Sequence, residues 1–372
     1  MKRYLSIDVL RAVAILLMIQ VHFAQNLSSE TKSWPTLYAV STFLGLWPAP
    51  LFTLLSGLSL SLWLRKQREL GRSEEQTTKY LVRRGLFLFG VGLAFACLVW
   101  LPDQTFNWDI LPLLGVSTLI LAATRRVPPL VLVGVCLLAL LASPSLRVLS
   151  DYKSYWDGVE FDYDFTLRDV VLGFFLNGYF PLLPWILFPV AGYALGETLS
   201  DERRQAAWLR WRLPSLGIGL LAIAGLGFVV QSRPSGWLAN FHATEFSFYP
   251  ASTMYILAVL GITLLSWWIL YLGLDRNQRI SGNGPVLMFF RRYGGFALTA
   301  YVVHHVVHLW PLWLYAMWMG KRKLRFYECK AMDTLTSLML AAAFIAVFYL
   351  LLIFLDRRKK YSLESWMRWI CE

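Results

Sequence analysis

The sequence predicts an all-α, polytopic integral membrane bundle of about ten transmembrane helices with both termini in the cytoplasm. Three observations lead there. Of 372 residues, 57% are hydrophobic and only 16% charged, with 17 Trp and a mean hydropathy of +0.51, a balance too apolar for a soluble domain of this length. Apolar runs of membrane-spanning length recur along the whole chain. Lys and Arg gather in alternate connections between those runs, as the cytoplasmic loops of a polytopic chain do. The net charge of +12 is therefore read as topology, and no nucleic-acid partner is expected.

A hydropathy window of about 19 residues places the spans at 9–24, 40–64, 83–100, 108–124, 128–147, 179–198, 213–231, 251–273, 294–318 and 333–355. The first run carries Asp8 and Arg11 and is not followed by a small-residue cleavage site, so no cleavable signal is expected. The second ends on 65–84, which holds seven Lys/Arg and starts the third. Arg125 and Arg126 close the fourth, Arg203, Arg204, Arg210 and Arg212 separate the sixth from the seventh, and Arg276, Arg279, Arg291 and Arg292 separate the eighth from the ninth. Arg357 to Lys360 end the tenth. These connections are assigned to the cytoplasm. The intervening loop 147–178 has three basic residues against Asp151, Asp157, Glu160, Asp162, Asp164 and Asp169. One connection dissents: GKRKLRFYECK, 320–330, carries five Lys/Arg on the side that parity makes external. Either a helix is miscounted or that loop is basic for a reason of its own. The cysteines, Cys97, Cys136, Cys329 and Cys371, show no CxxC or paired spacing, and no disulfide framework is expected.

The first run, MKRYLSIDVLRAVAILLMIQVHF, contains three groups that a bilayer penalises: Asp8, Arg11 and His22. At about 100° per residue all three fall on roughly one helix stripe. With a rise of about 1.5 Å per residue, His22 lies roughly 16 Å from Arg11, near mid-membrane if Arg11 sits at the inner interface. Intramembrane ionisable residues face a cavity or a partner far more often than lipid. The plainer alternative is an interfacial Asp8–Arg11 pair with His22 at an ordinary helix end.

A second cluster lies in RRYGGFALTAYVVHHVVHLW, 291–310. From the cytoplasmic Arg291 and Arg292, the helix reaches His304, His305 and His308 after about 18 to 24 Å of rise, a depth similar to that of His22. His304 and His308 share a face with Tyr301, whereas His305 points about 100° away. Three readings stand: substrate or catalytic contacts, structural hydrogen bonds, or a metal site. Zinc usually takes a third protein ligand and a fixing outer shell, and the neighbourhood has no HExxH, Cys pair or carboxylate at ligand spacing, so no metal is expected.

These residues carry a resemblance. The Arg11–x10–His22 spacing resembles the signature of the acyltransferase family 3 membrane enzymes, and SIDVLRAVAILLMIQVHF is still more similar to the start of bacterial heparan-α-glucosaminide N-acetyltransferase-like proteins, in the wider transmembrane acyltransferase superfamily. LFTLLSGLSLSLW (51–63), FPLLPWILFPVAGYALGE (180–197), FSFYPASTMYILAVLG (246–261) and YGGFALTAYVVHHVVHLW (293–310) resemble further blocks of that group, in order along most of the chain. Two positions depart from it: Ala12 replaces the usual Gly after Leu-Arg, and the late Pro-Pro-Ser reads Pro250, Ala251, Ser252.

The resemblance implies one transmembrane acyltransferase domain over 1–372 in the inner (cytoplasmic) membrane. It would move an acyl group, in first place acetyl, from cytosolic acetyl-CoA or another acyl-CoA to a hydroxyl or amine of a carbohydrate or envelope glycan on the outer side. Partners would be the lipid bilayer, acyl-CoA and the glycan acceptor, and a homo-oligomer is compatible. CoA phosphates suit guanidinium forks, so Arg3, Arg11, Arg65, Arg83, Arg84, Arg291 and Arg292 are candidates at the inner mouth, with Asp8 holding Arg11. At mid-depth an acceptor needs a base that exchanges protons near neutrality, the property of imidazole. His22 is the first candidate, with His304 and His308 behind it. It could remove the acceptor proton or carry the acyl group as an acyl-imidazole, and the sequence does not choose between them. In the outer loop DYKSYWDGVEFDYDFTLRD, 151–169, Tyr and Trp interleave with carboxylates in a pattern that suits sugar stacking and membrane interfaces alike. Asn177, Trp185, Tyr193, Tyr249 and Ser252 are expected at the cavity wall or in interfacial belts. Gly57 is expected to permit close helix packing. A transporter or flippase using the same ionisable groups as a proton path is the rival class, against which the chain shows no internal repeat.

Overall fold

The computed structural model describes residues 4–29, 33–157, 160–199, 208–231, 246–276, 284–358 and 361–372. The described chain is built from helices: α1 Leu5–Leu27, α2 Pro35–Leu44, α3 Pro48–Glu69, α4 Glu74–Phe95, α5 Ile110–Thr124, α6 Pro129–Leu149, α7 Leu167–Leu172, α8 Leu182–Trp185, α9 Leu187–Thr198, α10 Leu213–Gln231, α11 Thr253–Leu270, α12 Pro285–Gly295, α13 Ala297–Trp318, α14 Thr334–Arg358 and α15 Leu363–Cys371. A two-residue antiparallel ribbon, Trp156–Asp157 with Glu160–Phe161, is the sheet structure among the described residues. Among the described residues, eight helical segments are long and apolar enough to cross a membrane, and Ile110–Thr124 is a shorter apolar helix. Side chains such as Leu130, Leu138 and Leu149 of α6 are exposed, the outward apolar face that a helix presents to lipid. The chain is an all-α polytopic membrane protein.

Two expected spans are interrupted. Residues 40–64 divide around Gly45–Trp47 into α2 and α3, because Pro48 suits a first helical position and not a continuing one. Residues 179–198 are broken at Leu183, which takes an extended conformation (φ −101°, ψ 123°) before Pro184, where the proline ring disfavours helix for its predecessor.

The chain forms two compact units, Thr53–Leu270 with Cys371–Glu372, and the N-terminal residues through Phe52 with Tyr271–Ile370. In the first unit, a Cβ at Gly57 would overlap the Pro189 carbonyl and one at Gly192 the Leu54 carbonyl, so α3 and α9 touch backbone to backbone. This is the close packing expected of Gly57.

In the second unit α1 is the central helix. The Asp275 carboxylate accepts from Leu5 N at 2.6 Å and Ser6 N at 3.2 Å, capping the donors at its positive end. Gly294 of α12 lies against the Asp8 carbonyl, an approach that any Cβ would prevent. Tyr293 Oη donates to Ile345 O of α14 at 2.5 Å, and Arg292 reaches the Asp356 carboxylate at 3.2 Å and Tyr349 Oη at 2.9 Å. At the opposite end Cys329 N donates to Asn26 O at 2.8 Å and Met332 N to Leu27 O at 3.0 Å. Helices α1 and α13 therefore run in the same direction. Arg11, Arg291, Arg292, Arg357 and Arg358 gather at one end of this unit, and the basic 320–330 loop is clipped to the other. Its basicity is thus separate from that of the arginine-rich end.

Candidate active site

The site grows from two helices that carry ionisable groups through apolar surroundings. Along α1, His22 and Asn26 are one turn apart on the same stripe, and both are half-buried. Along α13, His304, His305 and His308 are all buried. Four of the chain's five histidines thus meet in one place, at the common depth expected from counting helix rise.

Hydrogen bonds fix the ring tautomers. A backbone carbonyl can only accept, so each α13 ring must donate from Nδ1 to the carbonyl one turn back: His304 to Ala300 at 2.8 Å, His305 to Tyr301 at 2.9 Å and His308 to His304 at 2.6 Å. In the neutral ring, Nε2 is then an acceptor. His304 Nε2 lies 2.9 Å from His22 Nδ1, so His22 donates from Nδ1. The Asn26 amide likewise donates to His308 Nε2 at 2.8 Å. With its proton on Nδ1, the neutral His22 ring has Nε2 as its proton acceptor. The His22 and His304 rings are parallel with centroids 5.3 Å apart. Together with the 2.9 Å nitrogen separation, that means two rings meeting edge to edge in a shared plane, good geometry for this bond.

The nitrogens of His22, His304 and His305 lie within 4.8 Å of one another, a spacing that a metal ion could bridge. Two tetrahedral zinc ligands at about 2.05 Å from the metal would stand roughly 3.3 Å apart. At 2.9 Å, His22 and His304 are instead at hydrogen-bond separation.

At the arginine-rich end, Asp8 stands 3.7 Å from Arg11, the pairing expected of that stripe. Arg292 is held by Asp356 and Tyr349. Arg65, Arg83 and Arg84 belong to the other unit, where Arg65 engages Glu69 at 3.0 Å and Arg83 is exposed. Arg3 lies outside the described residues.

The positions expected at a cavity wall or in interfacial belts all lie in the first unit. Trp185 and Tyr193 are fully buried, and the Asn177 amide oxygen accepts from Ser150 Oγ at 2.9 Å. Ser252 Oγ accepts from Tyr255 N at 3.2 Å and so caps α11. Tyr249 lines a void of about 10 Å³ beside Arg147, Tyr152 and Tyr179, room for one water.

Two members of the cluster escaped sequence reasoning. His305 lies about 100° round the helix from His304, off the face that the spacing picks out, yet the His22 ring centroid is 4.4 Å from that of His305 and 5.3 Å from that of His304. Asn26 carries no charge to betray it, although extending the Asp8–Arg11–His22 stripe by one turn reaches it.

No curated protein sequence matches the chain. The family model described as heparan-α-glucosaminide N-acetyltransferase, catalytic, matches residues 3–228, more than half of the chain and including His22. The likeness to acyltransferase family 3 rests on the Arg11–His22 spacing alone. Together the membrane-spanning helices, the hydrogen-bonded histidines and this match place the protein: the chain belongs to the heparan-α-glucosaminide N-acetyltransferase catalytic family of membrane acyltransferases.

Proposed function

We propose that the protein, acting as one domain over 1–372 in the inner membrane, transfers an acetyl or related acyl group from cytosolic acyl-CoA to a hydroxyl or amine of a carbohydrate or envelope glycan at the opposite face. Membership of an N-acetyltransferase family supports acyl transfer, and acetyl-CoA is the donor such enzymes use. The observation that carries the reading is the bond from His22 Nδ1 to His304 Nε2, which orients a neutral imidazole with Nε2 as the base. His22 Nε2 takes the proton of the acceptor as its oxygen or nitrogen bonds to the thioester carbonyl carbon. When the carbon–sulfur bond breaks, the same Nε2–H protonates the departing thiolate. His304 holds the ring in orientation and accepts from Nδ1–H while His22 is cationic, as a carboxylate does for the histidine of a catalytic triad, here without a charge. The same lone pair would serve an acyl-imidazole route.

Arg11 and Arg292 are the described arginines of this unit proposed to meet CoA phosphates, with Asp8 and Asp356 orienting them. The basic loop 320–330 sits at the end of α1 where the acceptor would approach. Purified protein incubated with labelled acetyl-CoA tests the reading. Transfer or hydrolysis that disappears in His22→Ala supports it, and movement of acceptor without acyl chemistry would establish the transporter instead.

A further inference from the structure

The C-terminal helix α15 is turned the wrong way round for water. On a wheel of about 100° per residue, Glu364, Ser365 and Arg368 form one polar arc, and Leu363, Trp366, Met367, Trp369 and Ile370 form the apolar remainder. Within the polar arc Glu364 and Ser365 are half-buried, and Arg368, which lines a cavity, is exposed. Glu364 accepts from Thr299 N at 2.9 Å and Thr299 Oγ1 at 2.6 Å, joining α15 to the first turn of α13. Ser365 and Arg368 line a cavity of about 410 Å³ with Met288, Arg291, Arg292, Gly295, Phe296 and Asp356. The apolar arc faces outward, with Trp366 56%, Trp369 80% and Ile370 44% exposed. A short helix with aromatic and aliphatic side chains outward lies in the plane of a membrane interface, its apolar face among acyl chains.

The cavity beneath that face has three arginines and one carboxylate, a net charge of +2 in a space large enough for a small headgroup. The membrane-spanning α14 ends in Arg357 and Arg358, and the sequence continues with Lys359 and Lys360 before α15. A run of four basic residues there, followed by an interfacial helix, is the pattern that draws anionic lipid. We propose that this cavity binds the phosphoryl headgroup of an anionic phospholipid, whose acyl chains lie along Trp366, Trp369 and Ile370. Guanidinium groups of Arg291 and Arg368 supply the donors to the phosphate oxygens, while Arg292 stays engaged by Asp356 and Tyr349. Because Glu364 ties α15 to α13, a bound lipid would brace the base of the helix that carries His304. The proposal rests on the membrane fold and not on acyl transfer.

CoA offers the same phosphoryl chemistry, so the experiment separates the two sources. Full-length protein is equilibrated with phosphatidylcholine vesicles with and without phosphatidylglycerol, repurified, and its retained lipid measured by mass spectrometry. CoA binding is measured in parallel. Wild type should retain phosphatidylglycerol in preference to phosphatidylcholine, and Arg291→Gln/Arg368→Gln should lose that preference by about tenfold or more. Arg368→Lys should keep most of it, and Arg322→Gln, at the other end of the unit, should keep all of it. Should the double variant melt early, Arg368→Gln alone, at an exposed position, carries the test. Equal retention of both lipids by wild type overturns the proposal. So does a result in which only CoA binding responds to these substitutions, which would give the cavity to CoA.

Discussion

The helix pair α1/α13 and the aromatic loop region of the first unit both collect polar groups, and they use them in opposite ways. In the loop region the groups close on one another. Tyr155 Oη donates to Asp169 at 2.7 Å, Tyr163 Oη donates to Asp103 O at 3.0 Å and accepts from Phe106 N at 2.9 Å, and Trp156 Nε1 donates to Asn177 O at 2.9 Å. The rings pack likewise, Trp156 stacking on Tyr249 at 5.4 Å. Burial and the bond to Asp169 push the Tyr155 phenol above its usual range, so it stays a neutral donor. The helix pair instead runs its bonds in one direction and ends on an acceptor nitrogen of a half-buried ring. A polar network that closes on itself holds a fold, and one that ends on an unspent lone pair is equipped for proton transfer.

Substitutions can break that contrast. The largest effect outside His22 is expected for His304→Leu, which removes the acceptor that orients His22 Nδ1. Turnover should fall by about 10- to 100-fold, the range for losing a partner that orients a functional imidazole, and His304→Asn, which can still accept, should recover part of it. Steady-state transfer from labelled acetyl-CoA checks both. Next, Arg11→Ala should weaken acyl-CoA binding by about tenfold while leaving the protein inserted, because one phosphate contact is lost. Unchanged CoA affinity would make Arg11 a structural partner of Asp8 and nothing more. The smallest effect belongs to the loop. Tyr155→Phe should cost about 1 kcal/mol of stability in a thermal or denaturant melt and leave transfer within about twofold, since only one hydrogen bond closes there. A large loss of transfer with little loss of stability would make the loop a substrate surface and erase the contrast.

How much of this was legible in the sequence follows from what each residue has to do. His22, His304 and His308 could be matched by depth because helix rise is uniform and an ionisable group in an apolar run must find a partner. His305 could not, since periodicity describes one helix and the contact of His22 with both rings is a property of the pair. Asn26 was hidden by its neutrality. The 320–330 loop stood out as an exception to the charge pattern, and its attachment to Asn26 and Leu27 depends on backbone bonds that composition does not encode. The breaks before Pro48 and at Leu183 lay inside runs whose hydropathy is uninterrupted, where the prolines were the available signal.

The central claim is that His22 exchanges a proton and does not merely hold a hydrogen bond. Turnover of labelled acetyl-CoA by His22→Gln tests it most directly, since glutamine can hydrogen-bond to His304 but cannot act as the base. The account predicts that His22→Gln stays folded in the membrane and loses about 10²-fold or more of its turnover, nearly as much as His22→Ala. Retention of more than about a tenth of wild-type turnover would contradict it and move the chemistry to His304 or His308.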